Sequence, residues 1–161
     1  MTVRELIERQ AALRPDAIYC IATEDGQRIA YGELARSCRR VAALLQSHGV
    51  RRGDTVSVVM PNGLNTVRIL LGALHAGCCV NPVNLLSQPT QMSYVLAHSD
   101  CRAVCTAPEW EARVREMVAE LDRDVAVLVV APDGKDVGAT ATPVGETPPP
   151  SGDAIALLMY T

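Results

Sequence analysis

The sequence predicts an α/β protein: a three-layer, mostly parallel, doubly wound sheet that is preceded by a helix and a β-hairpin. Three observations favour this fold class. From about residue 51, short apolar runs alternate with helical patterns, and that alternation is typical of parallel strands joined by right-handed crossovers. Several of the runs are apolar on both faces, as expected where helices cover a sheet on each side. The chain is also 48% hydrophobic but only 3% aromatic, which favours a core of packed aliphatic layers.

The first 50 residues predict a helix, a hairpin and a second helix. Apolar side chains at near-helical spacing indicate the first helix over residues 3–13. Two short runs, 18–22 and 28–31, flank a Glu-Asp-Gly-Gln turn and read as a hairpin. An isolated hairpin is marginal in water, so this one must pack against something else. The second helix, 33–48, has the clearest apolar stripe, formed by Leu34, Cys38, Val41, Ala42 and Leu45.

The remaining residues predict five strands, of which the first four are joined by helical crossovers. Strands are expected over residues 55–60, 78–80, 101–106, 125–130 and 153–161. Helices are expected over 63–76, 87–98 and 108–121. For the first of these, Asn62 is the expected N-cap. The same helix should bury a stripe that consists of Leu64, Val67, Leu71 and Leu74.

Two features of this region stand out. Gly72 lies inside a predicted helix, where glycine costs about 1 kcal/mol relative to alanine, so a close backbone contact is expected there. Residues 132–153 form a Pro- and Gly-rich loop, and loops of this length usually span a distance or move.

The last stretch, residues 153–161, is interpreted as a central strand. A charged residue begins it, a near-continuous apolar run follows, and Thr161 ends it. Such a run is typical of a strand that is buried on both faces. In open α/β sheets, ligands bind beyond the carboxyl ends of the strands. We therefore expect Tyr160 and Thr161 to reach the edge of a binding site, in what reads as the N-terminal fragment of a larger enzyme.

Charge, hydropathy and cysteine spacing narrow the class of protein. A net charge of −3 provides no basic face for nucleic acid or an anionic membrane. No apolar run approaches the roughly 18 residues that span a bilayer. The charged N-terminus is unlike a signal peptide, so a cytoplasmic protein is expected. The six cysteines lack zinc-site spacing and are interpreted as buried thiols in a reducing compartment.

The sequence contains no Gly-x-Gly-x-x-Gly after a strand, no Walker loop and no Gly-x-Ser-x-Gly elbow. His48, His75 and His98 each fall in the last turn of a predicted helix, where the helix dipole favours an imidazolium by roughly 0.3–1 kcal/mol. We interpret them as structural rather than catalytic or metal-binding, and Glu33 in a first helical turn likewise. Five arginines are interpreted as a solvated helix face and end rather than an anion site: Arg36, Arg39, Arg40, Arg51 and Arg52.

Four segments, in order, resemble the adenylate-forming acyl-CoA synthetase superfamily. Residues 29–34 are similar to its Thr-Tyr-x-Glu-Leu motif, and residues 49–62 to its Gly-Val-x-x-Gly-Asp-x-Val stretch with the Pro-Asn that follows. Residues 72–82 resemble its Ala-x-x-x-Ala-Gly-x-x-x-x-Pro segment. Residues 156–161 resemble the strand that enters its Tyr-Thr-Ser-Gly-Thr-Thr-Gly phosphate loop. Each segment is weak alone, but four in the right order and spacing are specific.

The resemblance implies an enzyme that activates a fatty or aryl carboxylic acid with Mg-ATP. The products would be an acyl-adenylate and pyrophosphate, and the acyl group would then pass to coenzyme A. Thr161 aligns with the start of the phosphate loop and is the one cofactor-binding residue expected. The rest of the loop, the acyl pocket and the catalytic lysine would lie beyond residue 161. No catalytic or metal-binding residue is therefore expected here, and the fragment should be inactive.

The resemblance also divides the chain. Residues 1–50 would pack on a subdomain encoded later, and residues 51–161 would form a parallel α/β subdomain. Without that partner, residues 1–31 should be loosely held or paired with another copy, so that a homodimer is one expected form. Residues 80–85 look more like fatty-acyl or aryl-CoA ligases than peptide-synthetase domains. The alternative is a stand-alone, non-catalytic α/β domain that binds a small ligand or a protein.

Overall fold

The computed structural model describes residues 1–134, 136–139, 141 and 148–160. Within them the elements follow the predicted order. They are α1 (Val3–Leu13), β1 (Ile18–Ile21), β2 (Arg28–Ala30), α2 (Tyr31–Ser47), β3 (Thr55–Val59), α3 (Leu64–Ala76), β4 (Cys79–Pro82), α4 (Pro89–His98), β5 (Cys101–Thr106), α5 (Glu111–Ala119) and β6 (Ala126–Val129). A short 3-10 turn, Pro108–Trp110, leads into α5. No helix in these ranges is both long and apolar enough to cross a bilayer.

The main sheet is parallel throughout, with the strand order β4-β3-β5-β6. The chain leaves β3 toward one side of the sheet, to β4, and leaves β5 toward the other side, to β6. The predicted α/β class, with a helix and an antiparallel hairpin in front of it, is therefore confirmed. In such a sheet the ligand crevice lies beyond the carboxyl ends of the two strands where the direction changes, here β3 and β5.

Two apolar cores cover the two faces of this sheet. On one face, Val41 and Leu45 of α2 and Ile69 of α3 pack against Val56 and Val58 of β3. On the other face, helices α4 and α5 cover β3 and β5. The buried side chains there include Met92, Leu96, Val104, Val114 and Met117. Because helices lie on both faces, β3 and β5 are the deeply buried strands. At the edge, β6 is only half-buried rather than buried on both faces as expected.

Helix α3 is buried more completely than its sequence predicts. The expected stripe is only partly right: Leu64 is buried, but Val67, Leu71 and Leu74 are half-buried. The sheet, α2 and α1 surround α3, and they also bury residues between those positions, namely Asn65, Arg68, Ile69, Gly72, Ala73 and His75. The close contact expected at Gly72 is present, since a Cβ there would lie 2.4 Å from Cβ of Val41 in α2.

The start of α3 corrects a second expectation. Asn62 is not its N-cap; Gly63 takes that position, and no side chain within the helix caps it. Instead, the loop after β6 reaches over the helix end. The Leu64 amide donates to Oδ1 of Asp133 at 3.1 Å, and the Asn65 amide donates to the Pro132 carbonyl at 2.8 Å. A contact between distant parts of the chain thus replaces the local cap.

The N-terminal elements pack on α2 and α3 through a third apolar cluster. Ile7 of α1, Ile29 of β2 and Leu34 of α2 are its buried centre. Arg4 strengthens this packing, since its Nε donates to the carbonyl of His75 at 2.7 Å. The outer strand of the hairpin, β1, leaves Ile18 and Ile21 exposed. The inner strand therefore supplies the buried residue Ile29, and β1 adds only the partly buried Cys20 to this cluster.

The last stretch of the chain departs most from expectation. Residues 154–160 are extended but carry only one isolated parallel bridge, between Leu157 and Val80 of β4. Ile155, Leu157 and Met159 are 74%, 52% and 64% exposed, so the interpretation as a doubly buried central strand is wrong. The segment lies beside β4 at the edge of the sheet, where these three side chains stay exposed among the described residues. Its apolar sequence indicated burial, but the covering partner is not among these residues.

Candidate functional site

The carboxyl edge of the sheet is where the fold places a ligand crevice. The ends of the two central strands are tied together there. The Thr106 hydroxyl of β5 donates to the carbonyl of Val59 in β3 at 3.2 Å, and the Ala107 amide donates to the same carbonyl at the same distance. The Val130 amide then donates to the Thr106 carbonyl at 2.8 Å. These bonds make the edge a rigid support, built from main chain and small side chains.

Helix N-termini can bind anions through amides that lack an acceptor. At this edge, the first turns of α3 and α4 are already capped by other groups of the chain. Asp133 and Pro132 accept the first amides of α3. At α4, the side chains of Gln88 and Gln91 form a reciprocal capping box, and the Gln88 amide donates to Gln91 Oε1 at 3.0 Å. An amide that already has an acceptor is not free to bind phosphate. Neither helix start therefore offers a phosphate site.

The segment of residues 154–160 is attached to the edge strand β4 by main-chain bonds. The Val80 amide donates to the Ala156 carbonyl, and the Leu158 amide donates to the Val80 carbonyl, both at 2.9 Å. The segment runs parallel to β4, toward the carboxyl edge. Thr161, the one cofactor-binding residue expected from the sequence, lies outside the described residues.

A side-chain contact fixes the end of this segment. The Tyr160 hydroxyl lies 2.8 Å from Nδ1 of His98, the last residue of α4. The two rings meet edge to face at 5.7 Å, and the His98 ring stacks on Tyr94, one turn earlier, at 5.3 Å. Sequence reasoning placed His98 at a helix end but did not find this contact. The Tyr94–His98 spacing puts two rings on the same face of a helix, but it does not indicate Tyr160 as their partner.

The other two histidines, His48 and His75, lie at the ends of helices α2 and α3, and each contacts a different group. His48 places Nδ1 2.9 Å from the carbonyl of Leu44 in the last turn of α2. His75 is buried, and its Nε2 lies 2.9 Å from a carboxylate oxygen of Glu8 in α1. Burial lowers the pKa of His75, which opposes the imidazolium expected from the helix dipole alone. Nothing in the described ranges groups three or more His, Cys, Asp or Glu side chains around a metal position.

A buried polar network that the sequence did not reveal centres on Arg68 of α3. Its guanidinium donates to Glu33 of α2 at 2.9 Å and to Asn65 at 3.1 Å. Asp136 in the loop after β6 lies 3.5 Å from Nε, an ion-pair distance, and accepts from Ser37 at 2.8 Å. This network fastens the loop to both helices. Glu33 thus forms an ion pair with Arg68, and its interpretation as a structural residue stays a prediction.

Three of the five arginines interpreted as a solvated surface make specific contacts. Arg39 pairs with Glu8, Arg40 lies 3.0 Å from Asp136, and Arg52 donates to the Pro149 carbonyl at 3.2 Å. These pairs are dispersed over helix α2, the loop after β6 and the turn before β3. These three side chains do not converge on one point.

All six cysteines are free thiols, and five of them are buried. Burial raises the pKa of Cys38, Cys78 and Cys105 to about 12. The thiolate is the nucleophile and metal ligand, so a raised pKa disfavours both roles at neutral pH. They contribute packing, as the sequence indicated.

The family is decided by a match that covers nearly the whole chain. The family model described as AMP-binding enzyme matches residues 7–161. The chain belongs to the AMP-binding enzyme family. The resemblance carried by the four sequence segments is thereby confirmed.

Relatives within the AMP-binding family agree. A sulfoacetate–CoA ligase of Cupriavidus necator is 44% identical over 99% of this chain and 32% of its own length. A benzoate CoA ligase from Burkholderia xenovorans LB400 superposes with a TM-score of 0.80 at 26% identity, over 98% of this chain and 32% of that one. The N-terminal domain of FACL13 from Mycobacterium tuberculosis has the same fold, with a TM-score of 0.84 at 18% identity, over 100% of this chain and 42% of that one. The chain thus spans about a third of the length of the ligases that it matches.

Proposed function

We propose that this chain forms the N-terminal part of an ATP-dependent acid–CoA ligase. The whole enzyme would activate a carboxylic acid to an acyl-adenylate, release pyrophosphate and transfer the acyl group to coenzyme A. The match of the AMP-binding family over residues 7–161 carries the proposal. The 44% identity to a CoA ligase supports the choice of acceptor.

In this proposal the chain supplies a platform for the nucleotide rather than the reacting groups. The triphosphate of Mg-ATP would be held from Thr161 onward, where successive amides and hydroxyls can donate hydrogen bonds to its oxygens. The capped starts of α3 and α4 support this assignment, because they leave no competing phosphate site there. The magnesium ion would be held by phosphate oxygens and by residues beyond the described ones.

The proposed substrate is a carboxylic acid whose identity the platform does not select. Residues 80–85 resemble the corresponding segment of fatty-acyl and aryl-CoA ligases, so fatty and aryl acids are candidate substrates. The relative named for sulfoacetate adds a short sulfonated acid to that list, and the structural neighbour named for benzoate adds an aryl acid. These three classes define the acids to be assayed.

The division of the chain at residue 50 belongs to the same proposal. Residues 1–50 would pack on a later subdomain and residues 51–161 would form the sheet subdomain. The exposed outer face of β1 supports it, because Ile18 and Ile21 lack an apolar cover in the described residues. A cytoplasmic location completes the proposal and is supported by the free thiols.

Reading the gene beyond codon 161 is the first test. The ligase proposal expects Ser-Gly-Thr-Thr-Gly directly after Thr161, followed by several hundred further residues. A stop codon at that point would instead favour the alternative, a non-catalytic α/β domain that binds a small ligand or a protein.

The activity test is ATP–pyrophosphate exchange by the complete gene product with sulfoacetate, benzoate and a fatty acid. Exchange with at least one acid is expected, and the 161-residue chain alone should show none. Thr161→Val should reduce exchange, whereas Thr161→Ser, which keeps the hydroxyl, should retain most of it. Absence of exchange with every acid, in a protein shown to be folded, would contradict adenylation.

A further inference from the structure

We propose that Tyr94, His98 and Tyr160 act as a positioning clamp for the point where the phosphate loop begins. The inference rests on the proposed function for the identity of that loop. The clamp itself is defined by described residues only. None of the three touches the reacting atoms; they would act by fixing the chain that leads to residue 161.

The contacts of the clamp form one continuous chain from helix α4 to the end of the segment. The Tyr160 hydroxyl lies 2.8 Å from Nδ1 of His98, and the His98 ring packs edge to face on the Tyr160 ring. On its other side, the His98 ring stacks on Tyr94 with an interplanar angle of 23°. Because His98 is held between two rings, its Nδ1 has a fixed direction.

Among the described residues, few other contacts hold the segment to the fold. Its main-chain bonds to the sheet are those with Val80 of β4, which pairs with Ala156 and Leu158, and the bond from the Ala154 amide to the Ser151 carbonyl is local. Ile155, Leu157 and Met159 point largely into solvent and add little packing. The Tyr160–His98 bond is therefore the attachment nearest to residue 161, two residues beyond the last main-chain bond.

Helix α4 is a suitable anchor for this purpose. Met92 and Leu96 on its inner face are fully buried against β3 and β5, so the helix is fixed to the central strands. The Arg123 guanidinium donates to the carbonyls of Leu96 and Cys101, at 2.7 and 3.2 Å, and ties the helix end to β5. The clamp thus connects the exposed edge segment to the rigid centre of the fold. A nucleotide loop that starts from a fixed point loses less conformational entropy on binding phosphate.

The first experiment measures amide hydrogen exchange in the 161-residue chain. Tyr160→Phe removes the hydroxyl but keeps the ring, and His98→Ala removes both contacts. In both variants the Leu158 amide should exchange roughly three- to tenfold faster, the change expected for loss of one side-chain hydrogen bond. The Val56 amide in β3 should be unchanged. Tyr19→Phe, in the distant hairpin, is the matched control and should leave both amides unchanged.

Two results would overturn the clamp. One is an unchanged Leu158 exchange rate in Tyr160→Phe. The other is equal acceleration at Val56 and Leu158, because the contact would then stabilise the whole fold rather than position the segment.

The second experiment uses the complete gene product. Tyr160→Phe should raise the KM for ATP roughly three- to tenfold and leave the KM for the carboxylic acid unchanged, with a similar effect for His98→Ala. Equal KM values for ATP in wild type and variant would contradict positioning of the nucleotide loop. If the wild-type protein shows no adenylation at all, the proposed function fails, whereas the exchange rates of Leu158 still decide whether the clamp exists.

Discussion

At the scale of single residues, Arg68 is a buried charged side chain that links three parts of the fold. It is 5% exposed and joins α2, α3 and the loop after β6 through Glu33, Asn65 and Asp136. A buried guanidinium is tolerated only when its charge is paired. The network therefore specifies where the loop lies as much as it stabilises the fold.

Replacing Arg68 by methionine should destabilise the protein by about 2–3 kcal/mol, because Glu33 and Asp136 lose a charged donor in a half-buried site. The free energy of unfolding from urea titration measures the effect. Arg115→Met is the matched control. Arg115 forms an exposed i,i+4 pair with Glu111 at 2.8 Å, so its loss should cost less than about 0.5 kcal/mol. Equal costs in the two variants would contradict the assigned role of Arg68.

His75 makes the stability depend on pH. Its pKa in the folded protein is lowered by burial, with the hydrogen bond to Glu8 acting in the opposite direction. The neutral ring donates from Nε2 to Glu8, and Nδ1 is buried without a hydrogen-bond partner among the described residues. Protonation would place a second N–H in that buried position. The folded state therefore binds this proton less readily than the unfolded state does.

It follows that the contribution of His75 to stability is complete above the unfolded pKa of about 6.5 and is lost as the pH falls below it. His75→Gln, which can still donate to Glu8, should flatten the pH dependence of the unfolding free energy between about pH 5 and pH 7. A wild-type slope in His75→Gln would show that other groups cause it.

At the scale of elements, the sequence predicts helices and strands well where periodicity is strong and the environment is local. The stripe of α2 is buried as expected, and glycine ends α3 at Gly77 in the left-handed conformation. Contacts between distant parts of the chain determine the features of α3 that local sequence patterns did not predict. Asp133 replaces the expected cap Asn62, and neighbours on every side bury the polar residues of α3, Arg68 among them.

The candidate site shows the same limit. Its location at the carboxyl edge follows from the order of strands and helices, which the sequence contains. The Tyr160–His98 contact joins residues 62 positions apart, so no local pattern could indicate it. Residues 153–161 are apolar, and burial on both faces was a reasonable inference from composition. That inference fails because composition indicates that a segment has a partner, not which residues provide it.

The crossing of α2 and α3 gives a prediction at this scale. Gly72 lets the two helices approach until a Cβ at this position would lie 2.4 Å from Cβ of Val41. Gly72→Ala should therefore destabilise the protein by about 1–3 kcal/mol through overpacking, despite the higher helix propensity of alanine. The double variant Gly72→Ala/Val41→Ala should be more stable than the sum of the single costs predicts. Thermal unfolding of all four proteins measures the coupling, and simple additivity would contradict a direct clash.

At the scale of the whole molecule, the fold has a rigid centre and two apolar margins. The centre consists of the parallel sheet between α2–α3 and α4–α5. One margin is the outer strand β1, with Ile18 and Ile21 exposed. The other is the segment of residues 154–160, where Ile155, Leu157 and Met159 are exposed. Margins of this kind are where a larger assembly or further chain would be expected to pack.

The predicted state of residues 1–31 follows from this arrangement. In a monomer, the amides of residues 18–31 should exchange faster than those of β3 and β5. Among the described strands β1 pairs only with β2, and a two-stranded sheet is marginal. In a homodimer formed through the hairpin, the same amides should be protected. Sedimentation velocity distinguishes the two states. Ile21→Lys should dissociate such a dimer. Leu86→Lys, at an exposed position in the loop between β4 and α4, should not. Uniform protection of residues 18–31 in a proven monomer would contradict both expectations.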